Sequence, residues 1–307
     1  MSDYTFKETQ TLEYKRPDVV KCYADQTLYI NLSDPQIDIK PVAEETKQRF
    51  TGGKGYDLWL LWNAVQPSTR WNDPENALCI AAGPLGGTPI YPGSGKSIVA
   101  TLSPTTGSVM DSNVGGYFGP YLKFSGFDAL EIQGTSLKDV VVFIDGVNQK
   151  IRLVETSGLP ENAYELSAIL TEHFAQGKPR NISVVSAGPG AKNTLIGCLN
   201  FTWYDPKRKR ARYKQAGRGG VGTVFADKGL KAVVACWNNV TADTNAPADK
   251  ARLKTVAKLH SREVVELDPK QNDMSKIGTT HLVTIMNDHD LLPTHNFRYG
   301  QHAQAPN

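Results

Sequence analysis

The stretch "DSNVGGYFGPYLKFSGFDALEIQG", residues 111–134, combines a freely bending backbone with bulky apolar side chains. Paired glycines follow an asparagine, and an aromatic-rich run leads through a second glycine turn into the strand pattern "DALEIQG". Glycine gives the backbone access to positive φ and lets it approach a ligand closely. The same device recurs along the chain, so it is the starting point for the fold and the site.

Composition places the chain among ordinary globular proteins. It has 307 residues, 40% hydrophobic and 21% charged, with a formal net charge of +3, enough for one large or two smaller domains. No apolar run of membrane-spanning length occurs, and the amino-terminal residues lack an apolar signal core. We therefore expect a cytoplasmic protein with no membrane span. The small net charge by itself indicates neither a nucleic-acid nor a membrane partner.

The four cysteines are widely spaced and form no CxxC pair. This spacing offers no local zinc or iron–sulfur ligand set, and a disulfide framework is not expected in a chain of this size and compartment. The sequence predicts that Cys22, Cys79, Cys198 and Cys236 are reduced, buried thiols.

Short apolar runs separated by glycine, proline and serine predict a β-rich domain. Helical patterns interrupt it near residues 43–67, with a break at Gly52-Gly53, and near residues 162–177. After Trp237 the chain becomes polar and then helical in pattern. The predicted organisation is a polar N-terminal extension (1–27), a β-rich domain (28–238) and the beginning of a helical second domain (239–307), which makes the fold class α+β.

Four glycine-rich segments carry the strongest indication of a ligand. They are residues 51–55, 83–96, 112–119 and 216–224. Three of them hold a cation, Lys54, Lys96 or Arg218, and Lys214 precedes the last segment. Backbone N–H groups of glycine-rich turns together with Lys or Arg suit a polyanionic ligand. Tight turns in a β-rich domain are the alternative for any single segment, and none of the four fits a nucleotide-binding motif.

Seven basic residues lie between Lys207 and Arg218. A nucleic-acid patch is one interpretation of such a run. The run continues directly into the glycine-rich turn at 216–220, which favours an anion site over nucleic acid.

Taken in order, the motifs resemble the amino-terminal part of the tungsten-dependent aldehyde ferredoxin oxidoreductases. The resemblance covers roughly residues 28–300 and rests on the whole set rather than on any single motif. The motifs are "ENALCIAAGPLGGTP" (75–89), "SPTTG" (103–107), the opening stretch, "AGPGAKN" (187–193), "QAGRGGVGTVFADKGLKAVV" (215–234) and "GTTHLVTIMNDHDLLPTHNF" (278–297).

The resemblance implies two β-sheets that form a base for a bis-pterin cofactor. In that family two molybdopterin dithiolenes chelate one tungsten, or less often molybdenum, and a magnesium ion bridges their phosphates. The glycine pairs would then let the main chain lie against the pterins and phosphates, while the aromatic side chains pack the supporting sheet.

Carried over position by position, the resemblance implies a set of cofactor-binding residues. Asn113 would offer its side-chain oxygen and Gln215 its carbonyl to the magnesium. Positions 96 and 214 are lysines where the family often has arginine, which keeps the charge but loses the bidentate fork. The implied set is Lys96, Asn113, Gly115, Gly116, Lys214, Gln215, Ala216, Gly217 and Arg218.

The chain lacks the family's CxxCxxxC motif and its distant fourth cysteine. Those residues hold a [4Fe–4S] cluster, which we therefore expect on a partner chain or a missing segment. The family's proton-handling residues also lie downstream, so no catalytic residue is assigned. His281, His289 and His295 show no ligand pattern and are given no role.

The resulting hypothesis is the cofactor-binding part of a tungsten or molybdenum oxidoreductase that oxidises aldehydes to carboxylic acids. Electrons would pass to ferredoxin or another iron–sulfur carrier, and a second chain would complete the enzyme. Such a chain predicts exposed apolar surface after residue 240 and on the sheet face that meets the pterins. The alternatives are a tungsten subunit of an aromatic-ring acyl-CoA reductase and a non-catalytic cofactor-binding or assembly module.

Overall fold

The computed structural model describes residues 4–238, 244–271 and 273–305. The chain divides into two compact units, Met1–Ala248 and Asp249–Asn307. The domain boundary expected at 238/239 borders residues 239–243, which lie outside the described part, so that boundary stays a prediction.

The first unit contains thirteen strands among its described residues. They are β1 (Thr5–Glu13), β2 (Gln26–Asn31), β3 (Gln36–Pro41), β4 (Leu78–Ala82), β5 (Ser97–Leu102), β6 (Val109–Val114), β7 (Ala129–Gln133), β8 (Val140–Asp145), β9 (Lys150–Ser157), β10 (Ile182–Ala187), β11 (Leu199–Asp205), β12 (Arg210–Ala216) and β13 (Leu230–Cys236).

The described helices of both units are mostly short, and the longest of them lies in the second unit. In the first unit they are α1 (Glu44–Phe50), α2 (Lys54–Ala64), α3 (Phe118–Phe124), α4 (Ala163–Ala175), α5 (Gly190–Asn193), α6 (Val221–Asp227) and a 3₁₀ turn at Pro179–Asn181. In the second they are α7 (Lys250–Gln271), α8 (Met274–Ile277), the 3₁₀ turn Gly278–His281 and α9 (Leu282–Asp288).

The strands form two mixed sheets. The seven-stranded sheet has the order β1-β9-β8-β13-β10-β11-β12, and the six-stranded sheet has the order β3-β2-β7-β4-β5-β6. Most pairs are antiparallel, with β8–β13 and β2–β7 parallel. Strands β6 and β12 each lie at an edge, and they contact one another. The two-sheet α+β fold expected from the sequence is confirmed.

The inner strands read as unbroken apolar runs because both of their faces are buried. In β4, Leu78 and Ile80 face the core between the sheets, while Cys79 packs beneath helix α2. In β13, Val233 faces the same inter-sheet core and Val234 packs on the side of α4. Helices α2 and α4 therefore cover the outer faces, and the main core lies between the sheets.

Two equivalent connections lead from an edge strand back to an inner strand. Strand β6 passes through a glycine pair and the helix α3 into β7, and β12 passes through a glycine pair and α6 into β13. All seven residues of α3 are buried. The Phe118 ring on α3 meets Phe201 of β11 edge-on at 5.7 Å, so α3 joins the two sheets.

The segment predicted as a polar extension contains strand β1. It pairs with β9 along its length as the edge of the seven-stranded sheet. A bulge between Glu8 and Gln10 reverses the side-chain alternation, so Phe6 packs on the α4 side and Leu12 on the inter-sheet core. The composition missed this strand because an edge strand needs only a few apolar residues and can otherwise stay polar.

The second unit, described by itself, buries few apolar side chains. Ala257 is buried. Large apolar side chains of this unit are exposed at Leu259, Val264, Val265, Leu267, Met274, Ile277, Ile285, Leu291, Phe297 and Tyr299. No helix among the described residues combines the length and apolarity needed to cross a bilayer.

The cysteines follow the prediction in three positions out of four. Cys22, Cys79 and Cys236 are buried, whereas Cys198 is exposed. Cys198 precedes β11 at the end of an exposed loop that also displays Leu195 and Ile196, so local chain position overrides the residue's usual preference for the core.

Candidate functional site

The edge strand β6 brings two lysines from distant glycine-rich segments onto one of its faces. Lys54 Nζ lies 2.6 Å from the carboxylate of Asp111. Lys96 Nζ donates to the side-chain oxygen of Asn113 at 3.0 Å. Asp111 and Asn113 alternate along β6 and therefore project to the same side. The segments 51–55 and 83–96 thus meet at β6.

The opposite face of β6 contacts the segment 216–220. The Arg218 backbone N–H donates to the Ser112 hydroxyl at 3.1 Å. A Cβ added at Gly219 would overlap the Met110 side chain, so glycine at this position lets the two backbones approach. All four glycine-rich segments therefore converge on one strand, although Ser112 and Arg218 are 106 residues apart.

The loop between β4 and β5 completes the convergence. The Gly53 N–H donates to the Ala82 carbonyl at 3.2 Å, which places the start of α2 against this loop. At the other end of the loop, a Cβ on Gly95 would lie 2.7 Å from the Gly116 carbonyl oxygen. Loop 83–96 is thus held between the 51–55 turn and the Gly115-Gly116 pair.

Three glycines of the site face open space. A Cβ built at Gly83, Gly115 or Gly217 would meet no atom within 4 Å, and none of the three lies in the left-handed region of φ. Neither backbone conformation nor packing against the protein therefore requires glycine there. Their backbones line a surface that a ligand could approach closely, which is the arrangement that a large flat or anionic group needs.

Other glycines of the same loops are explained by the protein itself. Gly116 has φ +132°, and Gly219 and Gly220 have φ +66° and +69°. At Gly220, a Cβ would overlap the Leu195 carbonyl oxygen and come within 2.7 Å of Pro104. The site thus contains two kinds of glycine, those shaped by the fold and those open to a ligand.

Strand β12 adds a row of cations beside the open glycines. Lys214 lies opposite Phe201 and Arg212 opposite Trp203 in the β11–β12 register. Paired residues of an antiparallel ladder share one face, and Phe201 belongs to the inter-sheet core. The side chains of Lys214 and Arg212 therefore project from the sheet face on which α3 and the Gly116 turn also lie.

The neighbouring residues of β12 have different environments. Ala216 is completely buried in the inter-sheet core. The Gln215 side chain donates to Asn200 Oδ1 at 3.0 Å on the opposite face of the ladder. The side-chain amide of Gln215 is thus used within the sheet, and the expected contribution of its carbonyl to a magnesium ion stays a prediction.

An aromatic-walled cavity of about 420 Å³ opens beside these loops. Gly95 and Gly116 lie on its rim, and Tyr117, Tyr121 and Trp203 form its walls. The rings of Tyr117 and Trp203 stand at 72° to each other with centroids 6.2 Å apart. The cavity can accept a planar ring system next to the cations of β12.

Two buried polar residues near the site gave no signal in the sequence. The Asp57 carboxyl on α2 is fully buried, and neither of its oxygens has a hydrogen-bond partner among the described residues. Burial raises the pKa of Asp57 well above its ordinary value, and the Asp111 charge adds to this rise. Lys123 is the second residue. Both occur in apolar helical runs, where a charged residue is normally read as solvent-facing.

No group of three or more His, Cys, Asp or Glu side chains among the described residues could hold a metal ion. Seven of the nine predicted site residues fall into three groups by position. Lys96, Asn113 and Arg218 converge on β6, and Gly115 and Gly217 face open space. Gln215 and Ala216 engage the sheet through their side chains.

The model of the family "Aldehyde ferredoxin oxidoreductase, N-terminal domain" matches residues 27–236. The chain therefore belongs to the aldehyde ferredoxin oxidoreductase family, and this region corresponds to the family's N-terminal domain.

Three similar proteins come from Pyrococcus species. The tungsten-containing aldehyde ferredoxin oxidoreductase of Pyrococcus horikoshii is 34% identical over 280 residues, covering 91% of this chain and 43% of that protein. The corresponding protein of Pyrococcus furiosus is 33% identical over 278 residues, with 90% and 43% covered. An aliphatic sulfonate oxidoreductase WOR-like subunit of Pyrococcus furiosus is 27% identical over 257 residues, with 80% and 39% covered. The chain spans less than half the length of these relatives.

A solved structure shares the fold. It is the active site complex BamBC of benzoyl coenzyme A reductase in complex with 1,5-dienoyl-CoA, with a TM-score of 0.62 and 30% identity. The similarity covers 70% of this chain and 31% of that one.

Proposed function

We propose that this chain is the cofactor-binding part of a tungsten or molybdenum bis-pterin oxidoreductase that oxidises aldehydes to carboxylic acids. One observation carries the proposal. Gly83, Gly115 and Gly217 belong to three separate segments that each contact or adjoin β6, and a Cβ on any of them would meet no protein atom within 4 Å. Family membership supports the identity of the group that lies there, since the relatives are tungsten-containing enzymes by name.

The residues present fit such a group. Lys96, Lys214 and Arg218 supply positive charge where the phosphates of two pterins would lie, and backbone N–H groups of glycine-rich turns suit phosphate oxygens. Asn113 Oδ1 and the Gln215 carbonyl would serve magnesium, a hard ion that prefers oxygen ligands. Asn113 Oδ1 accepts one hydrogen bond from Lys96, and an amide oxygen has a second lone pair.

The work of this chain is to hold and orient the cofactor. When bound, the cofactor supplies the two-electron chemistry that turns an aldehyde into a carboxylic acid. The cations and open glycines fix the phosphates, and the buried α3 and α6 keep the two sheets, and so the two halves of the site, at one separation. Electrons would leave through iron–sulfur centres to ferredoxin or a similar carrier.

We propose that the [4Fe–4S] cluster and the groups that move protons belong to a partner chain or to further sequence. The apolar side chains exposed on the second unit support a covering partner, because such surface is costly to leave in water. The cations are not proposed to bind nucleic acid, because Lys96 and Arg218 lie where the glycine-rich segments converge on β6 and Lys214 precedes one of these segments.

A reaction on an acyl-CoA substrate is the second candidate. The observation that favours it is the shared fold with the active site complex of benzoyl coenzyme A reductase. Product analysis separates the two, because an aldehyde oxidase forms a carboxylate and an acyl-CoA reductase transfers electrons in the opposite sense.

The test of the proposed function is cofactor content. The chain is produced anaerobically with its genomic neighbours, in medium with tungstate and molybdate, and purified. Elemental analysis measures tungsten, molybdenum and magnesium per chain, and fluorescence measures released pterin. We expect two pterins and one tungsten or molybdenum per chain, since the family's cofactor has that composition. A chain that holds no metal and no pterin, alone or with its neighbours, refutes the proposal.

A further inference from the structure

The Gly83–Gly86 turn is a single layer of backbone with helix α3 beneath it. A Cβ on Gly86 would lie 3.6 Å from Lys123 Nζ, and a Cβ on Gly87 would lie 2.6 Å from the ring of Phe124. A Cβ on Gly83 would meet no atom within 4 Å. One side of the turn therefore rests on α3, and the other side is open where the cofactor is proposed to lie.

Lys123 holds this turn from beneath. Its ammonium donates to the carbonyl oxygens of Gly83 at 2.7 Å, Pro84 at 2.8 Å and Gly86 at 3.3 Å. The residue is 1% exposed. Hydrogen bonds to a buried charge are stronger than those between neutral groups. The peptide planes of the turn therefore cannot rotate without losing a bond to this cation.

Asn245 is a second buried anchor of the same turn. Its Nδ2 donates to the Pro84 carbonyl at 2.8 Å, and its Oδ1 accepts from Lys123 Nζ at 3.5 Å. Asn245 is completely buried, so both groups act out of contact with solvent. The turn also carries its own hydrogen bond, from the Gly86 N–H to the Gly83 carbonyl at 2.8 Å.

We infer that Lys123 is a positioning residue for the cofactor, acting through the Gly83–Gly86 turn. Its ammonium draws the carbonyls of the turn toward α3 and thereby keeps the backbone at Gly83 open and fixed for a planar, anionic ligand. Lys123 lies beneath the turn and acts on a ligand only through it. The inference rests on the proposed function for the identity of the ligand, while the fixing of the turn is independent of it.

Lys228 provides a matched control. It is also 1% exposed, and burial lowers the pKa of both lysines to about 8. Its ammonium contacts the carbonyls of Gly134 at 3.3 Å and Pro74 at 3.5 Å, away from the Gly83–Gly86 turn. The variants Lys123→Met and Lys228→Met each remove one buried ammonium, but only the first frees the turn.

The first measurement is hydrogen exchange on the full chain. The amides of Gly86, Gly87 and Thr88 are hydrogen-bonded within the loop and report its local opening. In Lys123→Met we expect them to exchange about tenfold faster or more than in the wild type, because the variant loses hydrogen bonds to a charged group. In Lys228→Met the same amides should change by less than about threefold once global stability is matched.

The second measurement is metal and pterin content per folded chain, after production with the genomic neighbours. We expect Lys123→Met to lose most of it and Lys228→Met to retain it. Asn245→Ala keeps the Lys123 ammonium and removes one hydrogen bond to the turn. It should therefore also speed amide exchange at the turn and lower the metal and pterin content, but by less than Lys123→Met. If Lys123→Met does not accumulate as a folded chain, Asn245→Ala decides by the same two measurements.

Equal exchange at the turn in the two lysine variants overturns the inference, and so does a Lys123→Met chain that loads fully. These outcomes are separable from failure of the proposed function. A wild-type chain without metal or pterin refutes the function, while the exchange comparison still decides whether Lys123 fixes the turn.

Discussion

Filling the open glycines gives the sharpest prediction. Valine at position 115 or 217 places its Cβ where no protein atom lies within 4 Å, outside the left-handed region of φ. The fold should accept the valine. Replacing glycine without strain reduces the conformational entropy of the unfolded chain, which stabilises the folded state by about 0.4–1 kcal/mol. We expect thermal midpoints within about 3 °C of the wild type, the shift that about 1 kcal/mol produces in a chain of this size.

The same valines should block the cofactor. A ligand in contact with the Gly115 or Gly217 backbone leaves no space for three added carbons, and overpacking a closely fitted site costs about 1–3 kcal/mol. That cost corresponds to a roughly 5- to 150-fold loss of affinity. The assay is tungsten, molybdenum and pterin content per chain, measured beside thermal unfolding on the same samples.

Gly190 supplies the control. A Cβ there also meets nothing within 4 Å, but the residue lies in α5, outside the convergence on β6. Gly190→Val should therefore load fully. Full loading of both Gly115→Val and Gly217→Val would refute the reasoning that these glycines face the cofactor. Unfolding of both variants would show instead that the space around them is not open.

Two further predictions concern stability. Burial lowers the folded-state pKa of Lys123 and Lys228 from 10.5 to about 8, so the unfolded chain binds more protons between these two pH values. Below pH 8 each buried ammonium therefore lowers the free energy of unfolding by up to about 3 kcal/mol. This destabilisation is relieved as the pH rises from 8 toward 10.5. Urea unfolding at pH 7 to 9.5 measures the free energy of unfolding of the wild type, Lys123→Met and Lys228→Met. As the pH rises, the wild type should gain stability relative to each variant, and a difference that does not change with pH would contradict this. Phe118→Ala should cost about 3–5 kcal/mol, since it removes a buried ring between the two sheets. Urea unfolding measures the loss, with the exposed Tyr164→Ala as control, and a loss near that control would show that α3 does not join the sheets.

Local chemistry determined much of the fold. The hairpin of β2 and β3 turns at Ser33-Asp34-Pro35, and the predicted helical pattern breaks into α1 and α2 at Gly52-Gly53. These features depend on residues close in sequence, whose turn and helix preferences act within a few positions. The glycine-rich segments and their cations were visible for the same reason.

Only the tertiary structure decided how these pieces combine. The contacts of β6 with Lys54 and Arg218 join residues far apart in the chain, and the bulge that turns Leu12 toward the core depends on pairing with β9. Which glycines serve the fold and which face a ligand depends on the neighbours that each Cβ would meet, and a sequence does not contain those distances. Lys123 is the clearest case: in sequence it is one lysine in an apolar helix, and in the fold it is buried under three carbonyl oxygens.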